Sequence, residues 1–456
     1  MNSKSKILYI ELLNIVACFF VVLMHCTGVV FDFQSNKSWF VAMTLQTIAH
    51  AAIPVFFMCT GATLLNYNEK YSTREYAWKR IKRVFIPFLI WTAIYILWRT
   101  KIGELQVNGI KDLLVILLNN KVEYIFWYFY ALIPIYLFIP ILSRFMQKKN
   151  VKYILYYLAL CGVMTVFLPA LSHYFQLGVT PFSYLTYAQG FIAFLLLGWL
   201  LSNYSIKREW RMVIYTFGIL GGLTMFLGTY FWNYNNPSDA LNTYYMGYQS
   251  LGCYAMGISL FLLFKNMDWT FIEKNKFVQI LVHELAQASL GIYFIQMIVI
   301  YYFNKIVKWN FYSVKYMVLG TIAIYLISAI LVCLFRKSGL LTVGKKAGHF
   351  ISRTVGKAGK RVGKFVYRNS FYRISFVKDR KSMIRASIIS WLVCILLIAS
   401  WNLLGSGGIG KAWLYRCTLN HSLEFYTHRV EEEKNNCCGY IGQSLFRLFL
   451  YIYSNI

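Results

Sequence analysis

The sequence predicts an all-α polytopic membrane protein: a ten-helix transmembrane bundle followed by an eleventh hydrophobic helix. Three observations predict it. The 456 residues are 58% hydrophobic and only 14% charged, with mean hydropathy +0.51, whereas soluble domains carry nearer a quarter charged residues. Apolar runs of about 18 residues, long enough to cross a bilayer as helices, recur along the chain. Aromatic residues reach 19% (36 Tyr, 36 Phe, 13 Trp), which suits the interfacial belts of a multi-span protein.

The apolar runs fall at 7–30, 41–65, 84–98, 125–146, 153–170, 186–202, 212–232, 246–264, 286–306, 315–335 and 386–403. The third is short, but Arg83 and Arg99 at its ends can snorkel to the interfaces. Connections alternate in charge. Those at 67–83, 144–152 and 206–211 are basic, while 171–185 and 233–245 hold no Lys or Arg. Ten helices with both ends of the set in the cytoplasm satisfy that alternation, so a multi-pass protein of the cytoplasmic membrane is expected, N-terminus inside. Lys308 in loop 307–314 is a mild exception. The first run is too long for a removable signal sequence and lacks an A-x-A-like cleavage site. Read as helix 1, it runs from inside to outside.

Beyond residue 335 the character changes. Residues 336–385 hold fifteen Lys/Arg and one acid, Asp379, and read as a basic juxtamembrane segment drawn to anionic membrane lipid. Within it Thr342-Val343-Gly344-Lys345 recurs as Thr354-Val355-Gly356-Lys357. The additional hydrophobic helix is 386–403, and 404–456 is a polar, Cys-containing tail. The bundle itself is 1–335.

A net charge of +29 first suggests nucleic acid, but the cations sit in short loops between apolar runs, where they orient helices. No nucleic-acid partner is expected. Seven of the ten cysteines, from Cys18 to Cys394, fall in or beside apolar runs, and no CxxC pair occurs. They read as small buried hydrophobes; the vicinal Cys437-Cys438 is the one odd case. No metal site is expected.

Ionisable groups inside a membrane are costly and mark chemistry by default. Helix 1 carries Glu11, Asn14 and His25 in an otherwise apolar run. At about 100° per residue, Asn14 and His25 share a face about 16 Å apart, with Glu11 one turn further in. Such a stripe faces the bundle or a wet cavity. Alone, a membrane histidine is as readily a hydrogen-bonding partner for a neighbouring helix. Helix 2 opens near the outer side with His50, followed by Pro54 and Gly61. His25 and His50 are therefore both expected near the outer interface. After helix 2 come Lys79, Arg80, Lys82 and Arg83. Four cations in five residues suit a phosphate-rich ligand, or simply anchor the helix on the cytoplasmic side.

Six segments resemble the acyltransferase-3 family of integral-membrane O-acyltransferases, in order across residues 5–335. They are Tyr9-Ile10-Glu11-Leu12-Leu13…Ala17…His25, Ile53-Pro54-Val55-Phe56-Phe57-Met58…Gly61, and Lys79-Arg80-Ile81…Arg83…Pro87…Trp91. Then come Trp127-Tyr128-Phe129-Tyr130-Ala131-Leu132-Ile133, Gly190-Phe191…Leu197-Gly198-Trp199 and Ser289-Leu290-Gly291-Ile292-Tyr293-Phe294-Ile295. The resemblance implies transfer of an acyl group, acetyl in the first instance, from acyl-CoA to a hydroxyl of an envelope polysaccharide or lipid-linked sugar. Acyl-CoA is then a donor substrate, and no tightly bound cofactor is expected. It implies His25 as general base or transient acyl carrier; Glu11, which with Asn14 would line the path, is the second catalytic candidate. Lys79, Arg80, Lys82 and Arg83 would hold the donor phosphates. Asn14, His50, Trp127, Tyr128, Tyr130 and Gln296 are the substrate-side candidates.

The chain departs from the family pattern in three places. Asn14 stands where the family usually has Arg, Ile125 where His is frequent, and Gln296 where the ninth-helix motif commonly ends in His. Asn supplies no permanent charge and Gln shuttles no proton. Those changes favour a second account, a non-catalytic membrane sensor or glycan or lipid transporter of the same fold. That account needs neither CoA nor an intact His25.

Overall fold

The computed structural model describes residues 3–175, 183–236 and 241–337, all within the first of the two units into which the chain divides, Met1–Gly348. Among them are helices and turns and no strand, so the protein is an all-α polytopic membrane protein. The expected hydrophobic helix 386–403, the tail 404–456 and all of 336–385 after Lys337 lie outside the described residues.

In lipid each backbone N–H and C=O needs a partner within its own segment, so a long apolar run without Gly or Pro becomes one unbroken helix. Helix α1, Ser3–Cys26, is of this kind: no Gly or Pro interrupts it from Ile7 onward. At its end the Thr27 hydroxyl lies 2.7 Å from both Leu23 O and Gln46 Oε1, tying α1 to the next helix.

The second predicted helix is a bent pair, α2 (Lys37–Ala49) and α3 (Ala52–Leu64). Asn36 caps α2 by accepting from Trp39 N at 2.9 Å. Pro54 causes the break, because it has no N–H to give to the carbonyl four residues earlier. That freed carbonyl belongs to His50, and the Cys253 thiol donates to it at 3.4 Å. Because α2 begins at Lys37, His50 lies about 20 Å along the pair, at the bend, and not at the opening of the second helix as the sequence suggested.

Helix α4 (Thr73–Arg80) is capped by Ser72, whose hydroxyl accepts from Glu75 N at 3.3 Å. A π turn, Ile81–Phe85, joins it to α5 (Ile86–Lys101). Pro87 accounts for the widening, since it cannot donate to Arg83 O. The short amphipathic helix α6, Ile110–Leu118, lies in the following connection, where the sequence showed no apolar run of spanning length. A 3₁₀ turn, Tyr124–Phe126, leads into α7 (Trp127–Phe145). Helix α8 (Val151–Cys161) and α9 (Leu168–Tyr174) are joined by a second π turn ahead of Pro169. Helices α10 (Ser183–Asn203), α11 (Arg208–Asn235) and α12 (Leu251–Asn266) follow, then the short α13 (Thr270–Lys274). The long α14 (Lys276–Val307) and α15 (Thr321–Lys337) complete the bundle.

Among the described residues nine helical segments are long and apolar enough to cross a membrane, and Phe191–Asn203 of α10 is a shorter tenth. Their order matches the ten expected spans. The centre is α1 with the α2–α3 pair: 72% of an 18-residue stretch of Lys37–Glu69 is buried, against 17% for Lys148–Tyr174 at the periphery. Helix α1 runs parallel to α14 and meets it every seven residues. Glu11 touches His283, the Cys18 thiol donates to Ser289 O at 3.4 Å, and His25 reaches Met297 through Tyr124. A seven-residue repeat is the seam of left-handed helix packing.

Small residues allow the tightest crossing. A Cβ added to Gly61 would overlap the Leu195 carbonyl, and one on Gly198 the Met58 carbonyl, so α3 and α10 touch backbone to backbone. Neither backbone can yield as a side chain would. Gly61→Val and Gly198→Val are each expected to destabilise the fold by about 3 kcal/mol. The check is thermal denaturation in detergent against Gly28→Ala, whose added methyl meets nothing within 4 Å. Variants as stable as that control would contradict the crossing.

Candidate active site

His25 sits in the last turn of α1, half-buried. Its Nδ1 is 2.8 Å from the Tyr124 hydroxyl, with the two rings edge to face at 5.4 Å. The same hydroxyl is 3.7 Å from Met297 Sδ on α14. Among the described residues no hydrogen bond engages the second ring nitrogen of His25, Nε2. That leaves one imidazole nitrogen held and one available.

Tyr124 owes its position to its neighbour. The Glu123 carboxylate accepts from Tyr124 N at 3.1 Å and caps the 3₁₀ turn. Glu123 is only 5% exposed, with Arg99 Nη1 3.9 Å away. Arg99 also donates to Val122 O at 2.8 Å and pairs with Glu104 at 3.3 Å. Burial pushes the Glu123 carboxyl above its ordinary value, and Arg99 opposes the rise. From α14, Tyr293 donates to Ile125 O at 2.5 Å, fixing the turn from its other side.

An aromatic row starts against Met24, the residue before His25. Tyr248, whose hydroxyl is 3.8 Å from Met24 Sδ, stacks on Trp127 at 5.3 Å and on His50 at 5.3 Å. His50 Nδ1 is 2.7 Å from Gln46 O. A carbonyl only accepts, so Nδ1 carries the proton and Nε2 is the basic nitrogen. His25 thus meets Tyr124 and His50 meets Tyr248, and no bond joins the two histidines. Tyr128 is buried between Phe57 at 5.2 Å and Tyr293 at 5.8 Å. Tyr130 turns away and donates to Leu117 O on α6. Gln296 is fully buried; its Nε2 donates to Tyr293 O at 3.1 Å, while its Oε1 has no partner.

Glu11 lies elsewhere. Fourteen residues before His25, it stands about 21 Å away along α1. Its carboxylate accepts from His283 Nδ1 at 2.7 Å. Gln287 bridges His283 to Arg336 on α15, and Arg336 pairs with Glu284 at 3.3 Å. Asn14 is half-buried one turn further along α1 and joins neither network. Of the basic segment, only Arg80 turns inward. It lies over Tyr76 at 5.9 Å and Tyr136 at 5.7 Å, and its buried Nε has no partner. Lys79 pairs with Glu75 at 2.9 Å and Lys82 lies over Trp78 at 4.9 Å, while Arg83 is exposed.

Of the residues singled out in the sequence, the fold joins His50 and Trp127 through Tyr248 and sets His25 against Tyr124; the sequence did not point to Tyr124, Tyr248, Met297 or the Glu123–Arg99 pair. The signal for that last pair was two opposite charges at facing ends of adjacent apolar runs. Among the described residues no cluster of His, Cys, Asp or Glu could hold a metal ion.

Residues 7–335 match a family model described as an acyltransferase domain. No curated protein and no solved structure matches the chain.

The Glu123 carboxyl yields a pH prediction. Its folded pKa is raised, so its contribution to stability is fully present below the unfolded value, about 4.3, and is lost as pH rises through the folded value. Glu123→Gln keeps an acceptor for Tyr124 N–H and removes the titration. The stability of wild type relative to this variant should therefore fall with rising pH, read by thermal denaturation in detergent. A pH-independent difference would contradict a buried carboxyl here.

Proposed function

The chain belongs to the acyltransferase-3 family, and on that premise we propose how this membrane acyltransferase works. It moves an acyl group, acetyl in the first instance, from acyl-CoA to a hydroxyl of an envelope polysaccharide or its lipid-linked precursor. The observation that carries the reading is His25: a half-buried imidazole with Nδ1 held by Tyr124 and Nε2 available. With Nδ1 protonated, Nε2 keeps its lone pair and can take the hydroxyl proton, or carry the acyl group itself.

Arg80 is the donor-phosphate ligand this geometry favours. It is a permanent cation between two tyrosine rings, with a buried N–H that lacks a partner. A guanidinium binds phosphate through two parallel hydrogen bonds. Lys79, Lys82 and Arg83 are its neighbours in the chain and add charge. The basic segment follows the end of α3, and Leu64 is about 21 Å along α3 from His50. The donor's thioester must therefore reach through the bundle from one end toward the other. With the basic connections on the cytoplasmic side, the N-terminus is cytoplasmic and His25 lies toward the outer face, in the cytoplasmic membrane. Acceptor contacts rest with half-exposed Trp127 and with His50. Tyr128 and Tyr130 are committed to packing and to Leu117.

Alkali-labile acetyl on envelope glycans tests the reading. Deletion of the gene should remove it, wild type should restore it, and His25→Ala at matched level should not. Restoration by His25→Ala would overturn the assignment. For Arg80→Ala, the KM for acetyl-CoA should rise about tenfold or more, as loss of a charged hydrogen bond implies. An unchanged KM would remove Arg80 from the donor site.

A further inference from the structure

We propose that Tyr124 is the positioning residue for His25, accepting a hydrogen bond from Nδ1–H while its own hydroxyl proton is directed to Met297 Sδ. The inference rests on His25 acting as the base. Two distances carry it: 2.8 Å from His25 Nδ1 to the hydroxyl and 3.7 Å from that hydroxyl to Met297 Sδ.

A neutral imidazole has one N–H and one basic nitrogen, and its neighbours decide which is which. A base that works through Nε2 needs Nδ1 protonated. In the transfer step Nε2 takes the proton of the acceptor O–H, and the freed oxygen forms a bond to the thioester carbonyl carbon. The C–S bond breaks, and the departing thiolate takes the proton from Nε2–H as the free thiol. While Nε2 holds that proton both ring nitrogens are N–H, so Tyr124 can only accept from Nδ1–H. Its hydroxyl proton then needs another acceptor. A thioether is a weak one, and Met297 places one within reach. Acyl transfer through Nε2 would make the same demand on Nδ1.

The surroundings hold Tyr124 to this task. Glu123 fixes its backbone N–H, and Tyr293 fixes the next residue's carbonyl. The ring meets His25 edge to face, so removing the hydroxyl alone leaves the packing of the two rings intact. Tyr124 is also the residue next to Ile125, the position where the family resemblance leads one to look for a histidine.

The test uses purified full-length protein in lipid nanodiscs, with acetyl-CoA as donor and envelope polysaccharide from a deletion strain as acceptor, reading thiol release. Tyr124→Phe should lower kcat about 10- to 100-fold, as loss of an orienting partner does, and leave the KM for acetyl-CoA within about twofold. Met297→Leu should lower kcat a few fold, about what one weak hydrogen bond is worth. Nitrogen-15 spectra of labelled histidine, with His25 assigned by the loss of its signals in His25→Ala, should show Nδ1–H in wild type and a mixture of tautomers in Tyr124→Phe. Wild-type kcat in Tyr124→Phe, or an Nε2–H resting tautomer in wild type, overturns the positioning role. Those results leave the base assignment standing if His25→Ala is inactive; an active His25→Ala overturns the base reading itself. Should Tyr124→Phe fail to fold, the wild-type spectrum and Met297→Leu still decide.

Discussion

A polar side chain within a bilayer has to find its partner inside the protein, and the placement of chemistry in this bundle follows from that constraint. The seam between α1 and α14 is where the requirement is met. Glu11, Cys18 and His25 are spaced seven residues apart on α1, and each finds a partner on or through α14. The repeat keeps the three contacts on one line as the helices wind about each other. A polar network therefore closes one end of the seam and the imidazole occupies the other, with the Cys18–Ser289 bond between them.

The second device is proline. Pro54 frees the His50 carbonyl for Cys253 and bends the α2–α3 pair, and at that bend His50 stacks on Tyr248. Pro87 widens the turn Ile81–Phe85 into a π turn beside the basic segment. Within that segment, four similar cations take up different positions: Arg80 is drawn between two tyrosines while Arg83 stays exposed. In both cases a missing backbone N–H interrupts the helix beside a side chain that carries charge or a basic nitrogen.

Much of this was legible in the sequence. Apolar runs and alternating basic loops are strong, local signals, and they placed ten spans that the fold reproduces. The polar stripe on helix 1 pointed to His25, and the resemblance to the acyltransferase-3 family was carried by motifs that the matched segment 7–335 contains. Other features depend on long-range geometry. Tyr124 reads as one tyrosine among 36 until the 3₁₀ turn capped by Glu123 delivers it to His25. His283 and Arg336 form no motif with Glu11, being 272 and 325 positions away. The face shared by Asn14 and His25 is real on the helix, but Glu11 turned out to serve a different partner.

Transfer by purified protein tests the central claim most directly. In proteoliposomes supplied with radiolabelled acetyl-CoA and envelope polysaccharide, wild type should move label onto the glycan and release one free thiol per acetyl transferred. His25→Ala, folded and at equal amount, should do neither. Equal transfer by the two proteins would contradict the account.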